Sequence, residues 1–280
     1  MFTALTNKQR LRSLFGWMYR LVRNLADVVL KADRRFLLLT PSLLKTQCIY
    51  DREQKRLIKL QIRDLTDFAV IHQVYVRHDY DFGKSDKARA LDAYYRDIVK
   101  SGRIPLIVDC GGNSGMATRY FRETYREAFV VCVEPDPSNL EAAKMNNDSA
   151  GVACLLAGVG SVDGRAMIQD PGLGNWGYRV EACENGNLDL ISINSILRQY
   201  APARFTPFII KIDIEGFEGN LFESNTEWFD LFPMLVIELH DWLFPGQANS
   251  KNFLREVSRR NRDFVFRGEN VFTVSNDLIQ

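Results

Sequence analysis

Cysteine is scarce in this sequence and is not arranged for cross-linking or metal binding. The five cysteines stand singly, with no Cys-x-x-Cys pair, at Cys48, Cys110, Cys132, Cys154 and Cys183. Cys110, Cys132 and Cys154 lie within or at the end of apolar runs, as small buried thiols do. The pattern excludes a disulfide framework and a zinc site, and it favours a reducing compartment.

Long apolar runs are also missing. The strongest candidate near the N-terminus, residues 14–30, is interrupted by Arg20, Arg23, Asn24 and Asp27 and is too polar to span a bilayer. No small-residue cleavage site follows a clear apolar segment, so we expect no signal peptide. Together these absences predict a cytoplasmic protein.

The chain has almost no net charge, because 36 Lys and Arg stand against 35 Asp and Glu in 280 residues. With 46% hydrophobic and 25% charged residues, its composition is that of a globular protein and excludes disorder, collagen and coiled coil. The charge is nevertheless unevenly distributed. Residues 1–63 hold 14 Lys and Arg against 4 Asp and Glu, a balance of +10, which leaves −9 on the remaining 217 residues.

An amphipathic helix is predicted within this basic part. Apolar residues recur there at spacings of three and four along one helical face. The stripe consists of Leu11, Leu14, Phe15, Met18, Val22, Leu25 and Val29. Such a helix packs on its own domain, packs on a second subunit, or lies on an anionic membrane surface. We expect no nucleic-acid partner, because no stacking aromatics alternate with the basic residues.

From residue 104 onward, apolar runs alternate with helical segments, which is typical of a parallel sheet covered on both faces. The predicted strands are residues 104–108, 129–133, 152–156, 208–212 and 234–237, with helices at 116–126, 138–146, 196–199, 218–222 and 252–260. Two last strands, 264–266 and 271–274, are joined by a tight turn, so the last is antiparallel to its neighbour.

These elements predict an α/β fold, a Rossmann-like doubly wound and mostly parallel sheet with a C-terminal antiparallel hairpin strand, in a domain of residues 65–280. An appendage of residues 1–64 is predicted to hold the amphipathic helix and a small hairpin of residues 47–50 and 57–62. A helix at residues 66–76 is expected to follow it.

Four of the predicted strands end in a carboxylate, at Asp109, Glu134, Asp213 and Glu238. Any one of them would be unremarkable as a solvated residue at a strand terminus. In an open parallel sheet, however, ligands bind at the carboxyl ends of the strands. The four together therefore favour a polar site.

The first of these acids opens a glycine turn between a strand and a helix. Gly111 and Gly115 permit a sharp turn, but the Gly-x-Gly-x-x-Gly pattern of dinucleotide folds is absent. Asp109 is badly placed for a diphosphate and well placed to attract the ammonium group of an amino-acid-bearing cofactor. Glu134, 23 residues after Gly111, is expected to accept hydrogen bonds from two ribose hydroxyls. S-adenosylmethionine meets both demands, although NAD folds share the ribose-binding acid.

Three segments, residues 108–115, 133–137 and 210–218, resemble the signature segments of the FkbM family of class I S-adenosylmethionine-dependent methyltransferases. The resemblance covers roughly residues 65–275. It implies cofactor contacts from a set of residues at the strand ends: Asp109, Gly111, Asn113, Gly115, Glu134, Pro135, Gly158 and Val159. The family commonly has alanine where Gly112 stands and isoleucine or valine where Ser114 stands, and both departures are expected to be harmless in a turn. It commonly has Leu-Asp where this chain has Ile193 and Asn194; Asn can still cap the helix, but a charged contact there would be lost.

The catalytic residues are predicted from strand alternation. Lys211, Asp213 and Glu215 fall on one side of a strand, and Glu238 and His240 share a side at the end of the next. We expect these five residues to face a cavity, with His240 as general base. The alternatives are a structural salt bridge of Lys211 with Asp213 or Glu215, and a purely structural histidine.

A divalent metal held by Asp213, Glu238 and His240 is a second option for activating the acceptor. Manganese or zinc would suit this mixed donor set better than magnesium, and the metal is left open.

The resemblance implies methylation of a hydroxyl, often on a sugar of a glycan, glycolipid or glycosylated natural product. Trp176, Tyr178, Trp242 and Phe244 are candidates to cover a sugar face, or they are ordinary loop packing. Residues 172–177 form a glycine-rich segment suited to a substrate lid. Two other functions stay open: a nucleotide-dependent oxidoreductase or epimerase, and a non-catalytic Rossmann-like binding protein.

Overall fold

The computed structural model describes residues 7–29, 34–147, 150–169, 179–183, 185–200 and 204–279. The chain divides into two compact units, Met1–Asp79 and Tyr80–Gln280. The predicted boundary at residue 64 comes earlier than this division. All five cysteines are free thiols, as expected.

The first unit is a long helix followed by a small antiparallel sheet and two short helices. Its elements are α1 (Asn7–Val29), β1 (Phe36–Leu38), β2 (Thr46–Asp51), β3 (Arg56–Gln61), α2 (Leu65–Ile71) and a π-helix (His72–Arg77). The predicted hairpin is β2 and β3, to which β1 adds a third strand. The Phe36 ring lies 5.1 Å from the Tyr75 ring. The short helices after residue 64 therefore pack against the three-stranded sheet of the first unit. For this reason the first unit extends to Asp79, beyond the predicted boundary at residue 64.

Helix α1 contacts its own unit through its more polar face. Trp17 Nε1 donates to the Leu39 carbonyl at 2.8 Å, and Asn24 Nδ2 donates to the Leu38 carbonyl at 3.1 Å. The described residues of the apolar stripe are exposed, with Phe15 at 67% and Val22 at 66%. The described residues of the stripe do not pack against the first unit, and the roles expected of the stripe stay predictions. No described helix is both long enough and apolar enough to cross a membrane.

The second unit alternates strands and helices as predicted. Its elements are α3 (Asp86–Lys100), β4 (Ile104–Cys110), α4 (Met116–Thr124), β5 (Phe129–Glu134), α5 (Pro137–Asn146), β6 (Val152–Leu156), β7 (Gly158–Gly160), β8 (Gly164–Gln169), β9 (Arg179–Ala182), β10 (Leu188–Ser192), α6 (Ile193–Tyr200), β11 (Phe205–Ile212), α7 (Glu218–Leu221), β12 (Met234–Glu238), α8 (Lys251–Ser258), β13 (Arg262–Arg267) and β14 (Asn270–Ser275). Two 3₁₀ segments are added, Thr226–Leu231 and Asp241–Leu243.

The central sheet has seven strands in the order β13-β14-β12-β11-β4-β5-β6. The five strands from β12 to β6 are parallel, and β14 runs antiparallel to β12 and β13. The inner strands are buried on both faces, which explains their continuous apolar runs. The predicted Rossmann-like fold with its antiparallel C-terminal hairpin is confirmed.

A second sheet in the order β7-β10-β8-β9 was not predicted. Its strands are short, and β7 is Gly158, Val159 and Gly160, too small a segment for a hydrophobic pattern to be read. Strand β7 pairs with β10 in parallel, Leu190 opposite Gly158. This pairing fixes Gly158 and Val159 beside the carboxyl ends of the central strands.

Candidate active site

A pocket of about 550 Å³ opens at the carboxyl ends of the central parallel strands. Six of the predicted cofactor residues line it: Gly111, Asn113, Glu134, Pro135, Gly158 and Val159. Asp213 and Glu215 of the predicted catalytic set line it as well. Sequence reasoning did not assign five further lining residues to the site: Val133, Asn139, Ala157, Ile214 and Phe217. The glycine turn and the acids of β11 thus share one cavity.

The glycine turn has a backbone that only glycine accommodates. Gly111 has a φ of +82°, and a Cβ there would lie 1.7 Å from the Asp213 carbonyl oxygen. A Cβ at Gly112 would lie 2.2 Å from Cys132 Sγ, so this chain has no room for a side chain at this position. Gly115, with a φ of +78°, is the N-cap of α4 and shapes the turn without lining the pocket.

Glu134 ends β5 and is held by three donors. Its carboxylate accepts from the Asn113 amide at 2.7 Å, the Asp136 amide at 3.0 Å and Asn139 Nδ2 at 3.2 Å. Burial raises the pKa of Glu134 to about 7 in spite of these hydrogen bonds. An acid fixed in this way at a pocket wall suits the recognition of paired hydroxyls.

Asp109 and Lys211 form a buried ion pair beneath the turn. Lys211 Nζ lies 3.1 Å from Asp109 Oδ1 and 3.4 Å from Asp213 Oδ2, and it donates to the Gly111 carbonyl at 2.6 Å. Thr118 Oγ1 donates to the other oxygen of Asp109 at 2.6 Å. Burial alone would lower the pKa of Lys211, but the charges of Asp109, Tyr80 and Asp213 hold it well above its usual value.

This geometry bears on two expectations. Asp109 is fully buried, pairs with Lys211 and is not among the residues that line the pocket, so its contact with a cofactor stays a prediction. Lys211 is 2% exposed and takes the structural role that was the alternative, although its main partner is Asp109 and not Glu215.

Three carboxylates converge on His240 from the ends of β11 and β12. His240 Nε2 lies 3.6 Å from an oxygen of each of Asp213, Glu215 and Glu238. Glu215 reaches this position from a left-handed backbone conformation, φ +50°, beyond the end of β11. Strand alternation thus predicts correctly that Glu215 lies near Asp213 and His240. It assumes a strand conformation at Glu215, however, whereas the residue is left-handed and follows the end of β11.

The other ring nitrogen of His240 is held by Glu218, which sequence reasoning missed. His240 Nδ1 lies 2.8 Å from Glu218 Oε1, and Asn249 Nδ2 donates to Glu218 Oε2 at 2.6 Å. Glu218 is fully buried at the start of α7. Nothing in the sequence indicates that an acid in such a short helix is buried. The contact between Glu218 and His240 is therefore seen only in the structure.

The cluster changes the protonation of its members. Burial raises the pKa of Glu215 to about 8 and that of Glu238 to about 7, and the charge of Asp213 adds to both shifts. Burial alone would lower the pKa of His240, but the hydrogen bond and charge of Glu218, with Asp213 and Glu215, raise it to about 9. His240 is then protonated at neutral pH, so Glu238 suits the role of general base better.

Three donor atoms of the cluster could hold a metal ion. One ligand atom each from Asp213, Glu238 and His240 lie within 4.8 Å of one another, as the sequence-based option requires.

The candidate acceptor-binding aromatics are only partly within the described residues. Trp242 is 63% exposed, with its ring 6.4 Å from that of His240. A Cβ at Gly216 would lie 1.9 Å from Phe244 Cε2, which shows that this ring packs directly over the glycine. Trp176, Tyr178 and the proposed lid of residues 172–177 lie outside the described residues.

Tyr80 was not assigned to the site from the sequence. It lies close enough to Lys211 and Asp213 for their charges to affect its pKa.

The chain is similar in sequence to a protein named as a methyltransferase. The chain is 25% identical over 210 residues to Methyltransferase 1 of Beauveria bassiana (strain ARSEF 2860), which covers 65% of this chain and 82% of that protein. No protein-family model matches the chain, so membership of the FkbM family stays a prediction.

Two solved structures are similar at greater distance. The O-methyltransferase TomG from Streptomyces achromogenes, in complex with SAM, is 12% identical with a TM-score of 0.39 over 74% of this chain and 89% of that chain. An O-methyltransferase from Bacillus cereus, in complex with SAH, is 12% identical with a TM-score of 0.37 over 75% and 91%.

Proposed function

We propose that this protein is an S-adenosylmethionine-dependent O-methyltransferase. The observation that carries the proposal is a single pocket that joins the glycine turn and Glu134 to the acids Asp213 and Glu215. The similarity to a protein named methyltransferase supports the same reaction class.

The cofactor lies along the carboxyl ends of β4 and β5 in this proposal. Glu134 accepts hydrogen bonds from the ribose hydroxyls, because its oxygens are held at the pocket wall by Asn113 and Asn139. Pro135, Gly158 and Val159 bound the adenosine side of the pocket. The methionine end points toward the Gly111 turn and Asp213, which places the methyl group beside the acid cluster.

The chemical step forms one bond and breaks one. The acceptor oxygen attacks the methyl carbon, the sulfur–methyl bond breaks, and the sulfonium becomes a neutral thioether. The hydroxyl proton passes to the acid cluster, where Glu238 has a pKa of about 7 and accepts it at neutral pH. Asp213 aligns the hydroxyl, because it belongs both to the pocket and to the cluster around His240.

The acceptor in this proposal is a sugar hydroxyl of a glycan, glycolipid or glycosylated natural product. Trp242 supports it, because an exposed ring close to His240 offers an apolar surface to one face of a sugar. A small polar acceptor also suits a cluster that offers carboxylates as hydrogen-bond acceptors.

A dinucleotide-dependent oxidoreductase or epimerase fits this turn poorly. The amides of Gly111 and Gly112 both donate to the Val133 carbonyl, at 2.9 and 3.0 Å, and the Asn113 amide donates to Glu134. These amides are already satisfied and do not point at a diphosphate, which a dinucleotide fold must bind there.

The test is transfer of a tritiated methyl group from S-adenosylmethionine to a panel of glycosides. We expect Asp213→Asn and Glu238→Gln each to lower the rate by about 10²-fold or more, with smaller effects on cofactor affinity. The matched control is Asp189→Asn, an exposed acid paired with Arg165, which should leave the rate unchanged. Full activity in both site variants would contradict the site assignment.

A further inference from the structure

The imidazole of His240 is aimed into the acid cluster with one nitrogen available. His240 is 2% exposed, and its Nδ1 is engaged by Glu218. Its Nε2 has only the three carboxylate contacts at 3.6 Å among the described residues, longer than a hydrogen bond. Separations of this size between His240 Nε2 and the carboxylate oxygens suit donor atoms that share one ion.

The support behind His240 is that of a metal ligand. A metal-binding histidine characteristically donates its second ring N–H to a carboxylate, which fixes the tautomer and directs the other nitrogen at the ion. Glu218 fills this place at 2.8 Å from Nδ1. Glu218 is itself held by the Gly216 amide at 3.2 Å and by Asn249 Nδ2 at 2.6 Å. The orientation of the imidazole is therefore built into the fold.

The donor atoms are spaced for a single ion. Atoms of Asp213, Glu238 and His240 lie within 4.8 Å of one another, and Glu215 Oε2 is at the same 3.6 Å from Nε2 as the others. The two oxygens of Asp213 have different neighbours. Oδ2 lies 3.4 Å from Lys211 Nζ, and Oδ1 lies 3.6 Å from His240 Nε2. A dication bound here would displace the protons of the cluster, and its charge would be balanced by the carboxylates of Asp213, Glu215 and Glu238.

We propose that Asp213, Glu238 and His240, with Glu215 as a fourth ligand, bind one divalent transition-metal ion. One imidazole among carboxylates favours Mn²⁺ or Zn²⁺ over Mg²⁺, which binds through oxygen ligands and retained waters. An ion at this site would lower the pKa of the acceptor hydroxyl, whose proton would then leave to water, and Glu238 would serve as a ligand in place of its role as base; this role rests on the proposed function, whereas the site itself does not.

The experiment is calorimetric titration of the full-length, chelator-treated chain with MnCl₂, ZnCl₂ and MgCl₂, without cofactor. We expect one saturable site per chain, tighter for Mn²⁺ or Zn²⁺ than for Mg²⁺. His240→Ala and Glu238→Gln should each weaken binding by more than about 100-fold, and Glu218→Gln by about 10- to 100-fold. Glu269→Gln is the matched control, because this exposed acid contributes charge at Glu238 without belonging to the cluster.

A titration with S-adenosylhomocysteine on the same preparations separates the two proposals and shows that each variant is folded. A chain that binds S-adenosylhomocysteine but shows no saturable metal site would overturn the metal proposal alone. Metal binding unchanged in His240→Ala and Glu238→Gln would overturn it too. Metal binding without any binding of S-adenosylhomocysteine would leave the metal site standing and overturn the methyltransferase assignment.

Discussion

Lys211 and Asp109 stand directly opposite each other on neighbouring strands, with Nζ 3.1 Å from Oδ1 and both side chains buried. The pair ties the end of β11 to the end of β4. The same ammonium group also donates to the Gly111 carbonyl, so the ion pair anchors the glycine turn from below. Lys211 thereby supports the glycine turn that lines the pocket, without lining the pocket itself.

Loss of this lysine should cost stability. We expect Lys211→Met to lower the free energy of unfolding by about 3–5 kcal/mol, because it leaves the buried Asp109 carboxylate without its partner. The control is Lys100→Met, whose pair with Asp97 is 75% exposed on both sides and should change stability by about 0.5 kcal/mol or less. Urea denaturation followed by circular dichroism measures both. Equal losses in the two variants would refute the structural role of Lys211.

Glu134 should dominate ribose recognition. We expect Glu134→Ala to weaken binding of S-adenosylmethionine by roughly 1–3 kcal/mol, about 5- to 150-fold in the dissociation constant, because polar partners lose their acceptor. Glu141→Ala, an exposed acid on α5, is the control and should leave the constant unchanged. An unaltered dissociation constant in Glu134→Ala would remove this residue from the cofactor site.

Cofactor affinity should depend on pH through the same residue. Burial raises the pKa of Glu134 to about 7, so the acid is largely protonated at pH 6 and ionised at pH 8. Because the carboxylate accepts hydrogen bonds from two hydroxyls better than the acid does, binding of S-adenosylhomocysteine should strengthen about tenfold from pH 6 to pH 8. The gain should vanish in Glu134→Gln. A gain that survives in this variant would have to come from Glu215 or another group.

The exposed stripe of α1 should contact a surface outside its own unit. Phe15 and Val22 are 67% and 66% exposed, so replacing both with serine should leave thermal unfolding nearly unchanged. We expect the double variant to lose co-sedimentation with vesicles of anionic phospholipid or to change its oligomeric state in light scattering. Behaviour identical to the unaltered chain in both assays would show that the stripe serves neither contact.

The sequence predicts the central sheet well and the site only in part, for physical reasons. The sequence predicts five parallel strands because burial on both faces leaves continuous apolar runs: β4, β5, β6, β11 and β12. Strand alternation predicts which residues of one strand share a face. It could not predict the Lys211–Asp109 pair, because that pair depends on the register between β11 and β4, which tertiary packing sets. Glu218 was missed because nothing in the sequence distinguishes a buried acid in a short helix from an exposed one. The roles assigned to these site residues stay predictions.

The central claim is that the pocket binds S-adenosylmethionine. Isothermal titration of the full-length chain with S-adenosylmethionine, S-adenosylhomocysteine and NAD, at the same pH and salt, tests it most directly. The proposal predicts saturable binding of one S-adenosyl ligand per chain, weakened in Glu134→Ala, with no comparable binding of NAD. Tighter binding of NAD, or no binding of either S-adenosyl ligand by a folded chain, would contradict it.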